Sequence, residues 1–468
     1  MIESQSSVQE GAAFGSLPLA PAVLANLERL GYQRMTPIQA ASLPLALAGR
    51  DLIAQAKTGS GKTAAFALPL LAKLDPRSFA VQALVLCPTR ELAEQVAQEI
   101  RRLARAEDNL KVLTLCGGAT LRPQAASLAH GAHVVVGTPG RILDHLSRET
   151  LSLEALGTLV LDEADRMLDM GFADDIAAVV RRCPEARQTL LFSATYPDGV
   201  TRMARRFMRA PQEVKLTETH APGKIRQRFY EVREDERLEA VPRLLEHFRP
   251  VSTLAFCNTK QRCRELATLL QARGIVALEL HGDLEQRDRD QVLVQFANRS
   301  CSVLVATDVA ARGLDVTGLE AVINVDVTPD PELHIHRIGR TGRADEAGWA
   351  FSLASPGEME RVARIEKLQD EEFVWAPLSS LTPSDDPEPL YPPMATVQIL
   401  GGRKDKIRRG DVLGALTKDI GLRGDQVGRI DVNEFSTYVA VDRAVAREAA
   451  RGLNAAKVKG KSVKARRL

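Results

Sequence analysis

Residues 56–63 read Ala-Lys-Thr-Gly-Ser-Gly-Lys-Thr, and this short stretch constrains the chain more than any other. It follows an apolar run, Asp51–Ala56, that reads as a buried strand. It precedes Ala64–Leu74, rich in Ala, Leu and Phe, which reads as a helix. A glycine-rich loop between strand and helix makes a phosphate cradle: Gly59 and Gly61 let backbone N–H groups turn toward an anion, and the helix N-terminus adds its positive dipole end. In that pattern Ala56, Lys57, Thr58, Gly59, Ser60, Gly61, Lys62 and Thr63 form the nucleotide loop. Lys62 reaches the β- and γ-phosphates, and the Thr63 hydroxyl holds Mg²⁺. The first position is alanine where the strict pattern has glycine. The plainer reading is a helix start capped by a glycine-rich turn; the strand–loop–helix context favours a nucleotide.

With 468 residues the chain has room for about three domains. No apolar run approaches the ~18 residues of a membrane span. Met1–Ala13 is polar and lacks the apolar core of a secretory signal, so the expected location is cytoplasmic. The six cysteines, at 87, 116, 183, 257, 263 and 301, form no C-x-x-C pair; they are expected to be reduced and mostly buried. Charge is unevenly placed. Residues 391–468 hold 17 Lys+Arg against 8 Asp+Glu, whereas residues 1–390 hold 45 against 52. A basic tail on a mildly acidic body suggests a polyanionic partner for the tail.

After the nucleotide loop, strands and helices alternate. Apolar runs at Val81–Cys87, Val112–Leu115, Val134–Val136, Leu159–Leu161 and Leu190–Phe192 are each followed by polar turns. Alternation of this kind predicts a parallel sheet with helices on both faces and ligands beyond the carboxyl ends of the strands. The pair Asp162-Glu163 stands at such an end: Asp162 is the expected Mg²⁺ partner, and Glu163 is placed to orient the attacking water. Residues 210–224 read as an interdomain linker. A second alternating half follows, over 225–375, with strands at Leu254–Cys257, Val276–Leu280, Val303–Ala306 and Val322–Val325 and no phosphate loop. Its segment His336-Arg337-Ile338-Gly339-Arg340-Thr341-Gly342-Arg343 packs arginines among glycines, a composition suited to phosphate.

Taken in order, Gln39, Ala56–Thr63, Pro88–Ala93, Gly117-Gly118, Thr138–Arg141, Asp162-Glu163-Ala164-Asp165, Ser193-Ala194-Thr195, Ala306–Asp315 and His336–Arg343 match the motifs of the DEAD-box RNA helicases. The resemblance covers about residues 14–375. Alanine at position 56 is that family's own pattern. It implies two RecA-like domains, 1–209 and 225–375, that close on ATP and RNA. By the same resemblance Gln39 reads adenine with Phe14 packed near it, and Asp162 coordinates Mg²⁺ through water. Glu163 positions the hydrolytic water, while Asp165, Ser193, Thr195 and His336 couple hydrolysis to strand separation. Asp315 contacts ATP from the second domain, and Arg340 and Arg343 act as arginine fingers. Pro88, Thr89, Arg90, Gly118, Thr138, Gly140, Arg141, Gly282, Gln286, Arg289 and Thr307 line the RNA backbone path.

Residues 376–393 contain six prolines and read as a stiff linker. Beyond it, 394–468 shows a βαββαβ order that suits a small RNA-recognition-type α+β domain. Its stacking positions are weak: Tyr438 is aromatic, but Ser436 and Val441 stand at the others. Basic residues, among them Arg403, Lys404, Lys457 and Lys459, are the expected contact surface together with Tyr438. A DEAD-box core followed by this tail resembles bacterial helicases whose tail binds a hairpin of large-subunit ribosomal RNA during ribosome assembly. The implied reading is a monomeric ATP-dependent RNA helicase acting on 50S assembly intermediates, with no membrane contact. The competing readings are a general RNA chaperone, an ATP-gated RNA clamp and a DNA translocase on the same architecture.

Overall fold

Short runs of Val, Leu, Ile and Ala with no polar alternation can only be strands buried on both faces, and that is how the first half folds. The computed structural model describes residues 11–56, 60–107, 109–118, 120–196, 198–216, 225–311, 319–342, 347–384 and 390–468. Seven strands make the first sheet: β1 (Leu52–Gln55), β2 (Ala83–Leu86), β3 (Val112–Leu115), β4 (Val134–Gly137), β5 (Thr158–Asp162), β6 (Gln188–Ser193) and β7 (Gln212–Lys215). All pairings are parallel, in the order β3-β4-β2-β5-β6-β1-β7. Helices cover both faces and bury two apolar clusters, one around Phe66, Val85 and Phe192, the other around Leu84, Leu161 and Met167. β7 corrects the linker assignment: Gln212–Lys215 hydrogen-bonds along β1. It is an edge strand with only Val214 buried, so its sequence shows no apolar run.

The second half repeats the plan with β8 (Ile225–Glu231), β9 (Thr253–Cys257), β10 (Ala277–Leu280), β11 (Val303–Thr307), β12 (Ala321–Asn324), β13 (Gly348–Ala354) and β14 (Trp375–Ala376), ordered β10-β11-β9-β12-β13-β8-β14 and again all parallel. The first part of the proline-rich stretch is not a free spacer. Ala376 lies in β14, Leu381 is buried in this domain's core, and the Ser384 N–H donates to the Glu246 carbonyl at 3.3 Å.

The tail forms an antiparallel sheet from β15 (Met394–Leu400), β16 (Val427–Val432), β17 (Thr437–Asp442) and, after the small hairpin β18 (Lys457–Val458) and β19 (Lys461–Ser462), β20 (Lys464–Arg467). Sheet order is β16-β17-β15-β20. Helices Arg409–Gly414, continued by a π turn over Ala415–Asp419, and Ala446–Ala455 cover one face. Val441 belongs to this core, so it is not one of the outward stacking positions. The tail is seated on the second domain: Asn298 Nδ2 donates to Thr396 Oγ1 at 3.1 Å, and Ser300 Oγ lies 2.7 Å from the same oxygen. All six cysteines are free and buried, and no helix among the described residues is long and apolar enough to cross a membrane.

Candidate active site

The strand order sorts the motifs. The nucleotide loop follows β1, Ser193-Ala194-Thr195 follows β6, and Asp162–Asp165 follows β5; these three strands are neighbours. The turns assigned to RNA follow β2, β4 and β3, the other three neighbours. The acidic tetrapeptide therefore stands at the boundary between the two groups, at the carboxyl edge where parallel sheets hold ligands.

On the nucleotide side, Gly61 starts the helix Lys62–Ala72 with φ +92°, a left-handed conformation that glycine tolerates. A Cβ there would stand 2.5 Å from Gln39 Nε2. Gln39 donates from Nε2 to the Gly61 carbonyl at 3.1 Å, and its Oε1 accepts from the Thr36 N–H at 2.9 Å. This fixes the amide against the loop. The Ala56 N–H donates to the Ser193 carbonyl at 3.0 Å, and Thr63 is the second residue of the helix. Phe14 is buried in the domain core and meets Tyr32 edge-on, with centroids 5.9 Å apart.

Among the described residues, Lys62 Nζ and Asp162 Oδ1 are buried without a hydrogen-bond partner, as is Thr36 Oγ1 beside Gly61. Desolvated charges are costly unless paired, so an ammonium and a carboxylate oxygen held this way fit an absent phosphate and an absent divalent cation. Burial pushes the Asp162 carboxyl up to about 7; Lys62 opposes this and Glu163 adds to it. Glu163 has φ 52° and ψ 53°, a strained conformation for a side-chain-bearing residue that costs about 1–3 kcal/mol. Its carboxylate accepts from Arg166 Nη1 at 2.8 Å, with both side chains nearly buried. Arg166 was not singled out from sequence, although its i,i+3 spacing from Glu163 is a readable ion-pair signal.

Asp165 joins β5 to β6. Its Oδ2 accepts from both the Thr195 N–H and Thr195 Oγ1, each at 2.8 Å. Its Oδ1 accepts from the Arg166 N–H at 2.9 Å, and its own N–H donates to Ser193 Oγ at 3.2 Å. The structure thus brings Asp165, Ser193 and Thr195 into one network.

On the RNA-assigned side, Thr89 caps the helix Arg90–Leu103 by accepting from the Leu92 N–H, and Pro88 precedes it. A Cβ on Gly118 would stand 2.1 Å from Arg90 Nη1, so the guanidinium rests on that glycine. Thr138 is the N-cap of the helix Pro139–Ser147, which contains Gly140 and Arg141. Arg141 Nη1 donates to Gln124 Oε1 at 2.8 Å, and Gln124 Nε2 donates to the Cys116 carbonyl at 3.0 Å. Gln124 ties the β3 and β4 turns together and carried no sequence signal.

In the second domain, Thr307 ends β11 and Gly282 lies exposed after β10. Gln286 opens the helix Gln286–Ala297, and Arg289 Nη2 donates to the Ala310 carbonyl at 2.7 Å. His336 lies in the last turn of the helix Pro331–Ile338, and Arg340 is buried two residues beyond it. Arg337, given no role above, binds Asp308 through both carboxylate oxygens at 2.7 and 2.6 Å and donates to the Asp326 carbonyl at 2.7 Å. Lys57, Thr58, Gly59, Asp315 and Arg343 lie outside the described residues.

The whole arrangement is that of an RNA-dependent ATPase, and the comparisons give its family. The chain matches "DEAD/DEAH box helicase" over residues 36–203, "Helicase conserved C-terminal domain" over 236–345 and "DbpA RNA binding domain" over 396–467. The chain belongs to the DEAD-box ATP-dependent RNA helicases. It is 52% identical over 459 residues to the ATP-dependent RNA helicase DbpA of Escherichia coli, covering 97% of this chain and 99% of that one. The DEAD-box ATP-dependent RNA helicase CshA of Geobacillus kaustophilus is 47% identical over 356 residues, 76% of each chain. Among solved structures, Saccharomyces cerevisiae Dbp5 bound to RNA and ADP BeF3 superposes with a TM-score of 0.73 at 31% identity, covering 79% of this chain and 96% of that one.

Proposed function

We propose that this helicase uses Lys62 and Asp162 to hold ATP phosphate and Mg²⁺, and that its tail directs it to a hairpin of large-subunit ribosomal RNA during 50S assembly. Lys62 Nζ and Asp162 Oδ1, buried and without a hydrogen-bond partner among the described residues, carry the first part. Thr63 and, through water, Asp162 would hold the metal, which when bound neutralises charge developing on the transferred phosphoryl group. Glu163 orients the attacking water, with its carboxylate held by Arg166. Gln39 selects adenine and Phe14 backs that wall. Arg340 and Arg343 supply positive charge to the γ-phosphate from the second domain. Asp165, Thr195, Ser193 and His336 pass the nucleotide state to the RNA side. Pro88, Thr89, Arg90, Gly118, Thr138, Gly140, Arg141, Gly282, Gln286, Arg289 and Thr307 follow the RNA backbone, so the core is indifferent to base sequence.

Target choice falls to residues 394–468. The observation behind it is the basic tail, 17 Lys+Arg against 8 Asp+Glu over 391–468, matched along its length by an RNA-binding family. Phosphate contacts alone would bind any RNA with a steep salt dependence, so discrimination also needs base or shape readout. The protein is read as a cytoplasmic monomer. The experiment is competition of the ribosomal hairpin against a scrambled hairpin of equal length, for the intact chain and for a chain ending at residue 393, at physiological salt. The intact chain should prefer the ribosomal hairpin and the shortened chain should not. Equal affinity of the intact chain for both RNAs would reduce the tail to a nonspecific anchor and favour a general RNA chaperone.

A further inference from the structure

On its two central strands, β15 and β17, the tail sheet offers a nucleic acid base no open platform. One face packs into the domain core through Val397, Val439 and Val441. On the other, Thr396, Gln398 and Tyr438 are also buried. Thr396 is taken up by Asn298 and Ser300 of the second domain, and the Tyr438 hydroxyl accepts from Gln398 Nε2 at 3.2 Å. Tyr438, the aromatic that the sequence pattern offers for stacking, is only 5% exposed.

The exposed aromatic of this domain is elsewhere. Phe435 sits at the turn between β16 and β17 with 69% of its surface in water. A phenyl ring this exposed at a turn tip buries little apolar surface, so packing accounts poorly for it. The turn is held in place by backbone bonds: the Arg403 N–H donates to the Asn433 carbonyl at 2.8 Å and the Lys404 N–H to the Glu434 carbonyl at 3.0 Å. Gly402 makes this approach possible, since a Cβ there would meet the Asn433 oxygen at 2.3 Å. The β18–β19 hairpin joins the cluster, with Lys459 Nζ donating to the Lys406 carbonyl at 2.6 Å. Lys404 also pairs with Glu434 at 3.2 Å, on the residue next to the ring. The chain thus sets an exposed aromatic ring on a turn whose backbone is bonded to the basic segment Arg403-Lys404.

We propose that Phe435 is a base-stacking residue of the tail: an unpaired RNA base lies on its ring while Arg403, Lys404 and Lys459 hold the flanking phosphates. The buried outward face of the sheet serves as the seat on the second domain. Every base has a π face, so a lone ring favours unpaired over paired RNA without itself reading sequence. A duplex offers the ring no free face, but it still offers phosphates to the basic residues. The inference rests on the reading of the tail as the RNA-binding part.

The test uses the intact chain without nucleotide and follows fluorescence anisotropy of two labelled RNAs: a hairpin with an unpaired loop, and a blunt duplex of equal length. Phe435→Ala should weaken hairpin binding about 10-fold and leave duplex binding unchanged. Phe435→Trp should keep hairpin affinity, and its emission, above the background of Trp349 and Trp375, should be quenched on adding the hairpin. A double substitution, Arg403→Ala with Lys404→Ala, should weaken both RNAs and flatten the salt dependence. If Phe435→Ala binds the hairpin like the parent, or loses both RNAs equally, the stacking role is overturned. If the double substitution nevertheless weakens binding, only that role falls. If neither substitution has any effect, the reading of this surface as the RNA contact falls with it.

Discussion

Lys62 and Glu163 do different work, and their substitutions should fail differently. Lys62 Nζ is buried without a partner among the described residues, which suits the proposed role of holding phosphate. Lys62→Ala should cost about 10²–10³ in turnover, the order seen when one preorganised transition-state donor is lost, and should also weaken ATP binding. Glu163→Gln keeps the shape and one acceptor for Arg166, so ATP binding should persist. The neutral amide cannot orient water as the anion does, and turnover should fall by about 10²–10⁴. Steady-state ATPase with saturating RNA, together with ATP titration, separates the two. Near-parental turnover in both variants would remove these residues from the chemistry. These positions could be proposed from sequence because the loop spacing and the strand-end carboxylates are local patterns. Gln124 carried no signal, since it acts through contacts that appear only once the turns are folded, whereas Arg166 was open to reading from its i,i+3 spacing to Glu163.

At the scale of elements, the strand order brings six motifs scattered along the first domain to the ends of six neighbouring strands, and no sequence pattern prints that order. Most interior strands were readable because parallel sheets bury both faces, but interior β13 and β8, the latter with Arg226, Gln227, Arg228 and Glu231 along it, went unread. So did edge strands β7 and β14: β7 buries only Val214, and β14 is two residues long. The helix Pro331–Ile338 carries a buried histidine whose titration is a second test. His334 stacks beside Phe229 and Phe373, and burial, helped by Arg337, lowers its pKa to about 3. The sign follows from a folded value below the unfolded value of about 6.5: the neutral form costs nothing above 6.5. Stability is lost as pH falls from 6.5 toward 3, because the unfolded chain takes up the proton first. At pH 5 this amounts to about 2 kcal/mol. Urea unfolding of the second domain at pH 5 and pH 7.5 should show that loss, and His334→Gln should flatten it. An unchanged pH dependence in the variant would mean that other groups dominate.

For the whole molecule, the seat of the tail changes the picture drawn from composition. Six prolines suggested a spacer holding the tail away from the motor, yet Ala376–Ser384 runs along the second domain and Thr396 is bound by Asn298 and Ser300. The sequence could not show this, because a docked linker and a free one have the same composition. The central claim is that ATP chemistry reaches RNA through the boundary carboxylate Asp165. It accepts two bonds from Thr195 beyond β6, while the other neighbour of its strand, β2, leads to the turns proposed to follow RNA. Thr195→Val removes the hydroxyl bond and keeps the backbone one, a loss of about 1.5–3 kcal/mol for a bond to a charged group. The most direct measurement is the number of short RNA duplexes separated per ATP hydrolysed, for the parent and for Thr195→Val. The account predicts that RNA-stimulated ATP hydrolysis largely survives while the ratio falls about 10-fold. An unchanged ratio, with both activities intact or both reduced together, would contradict it.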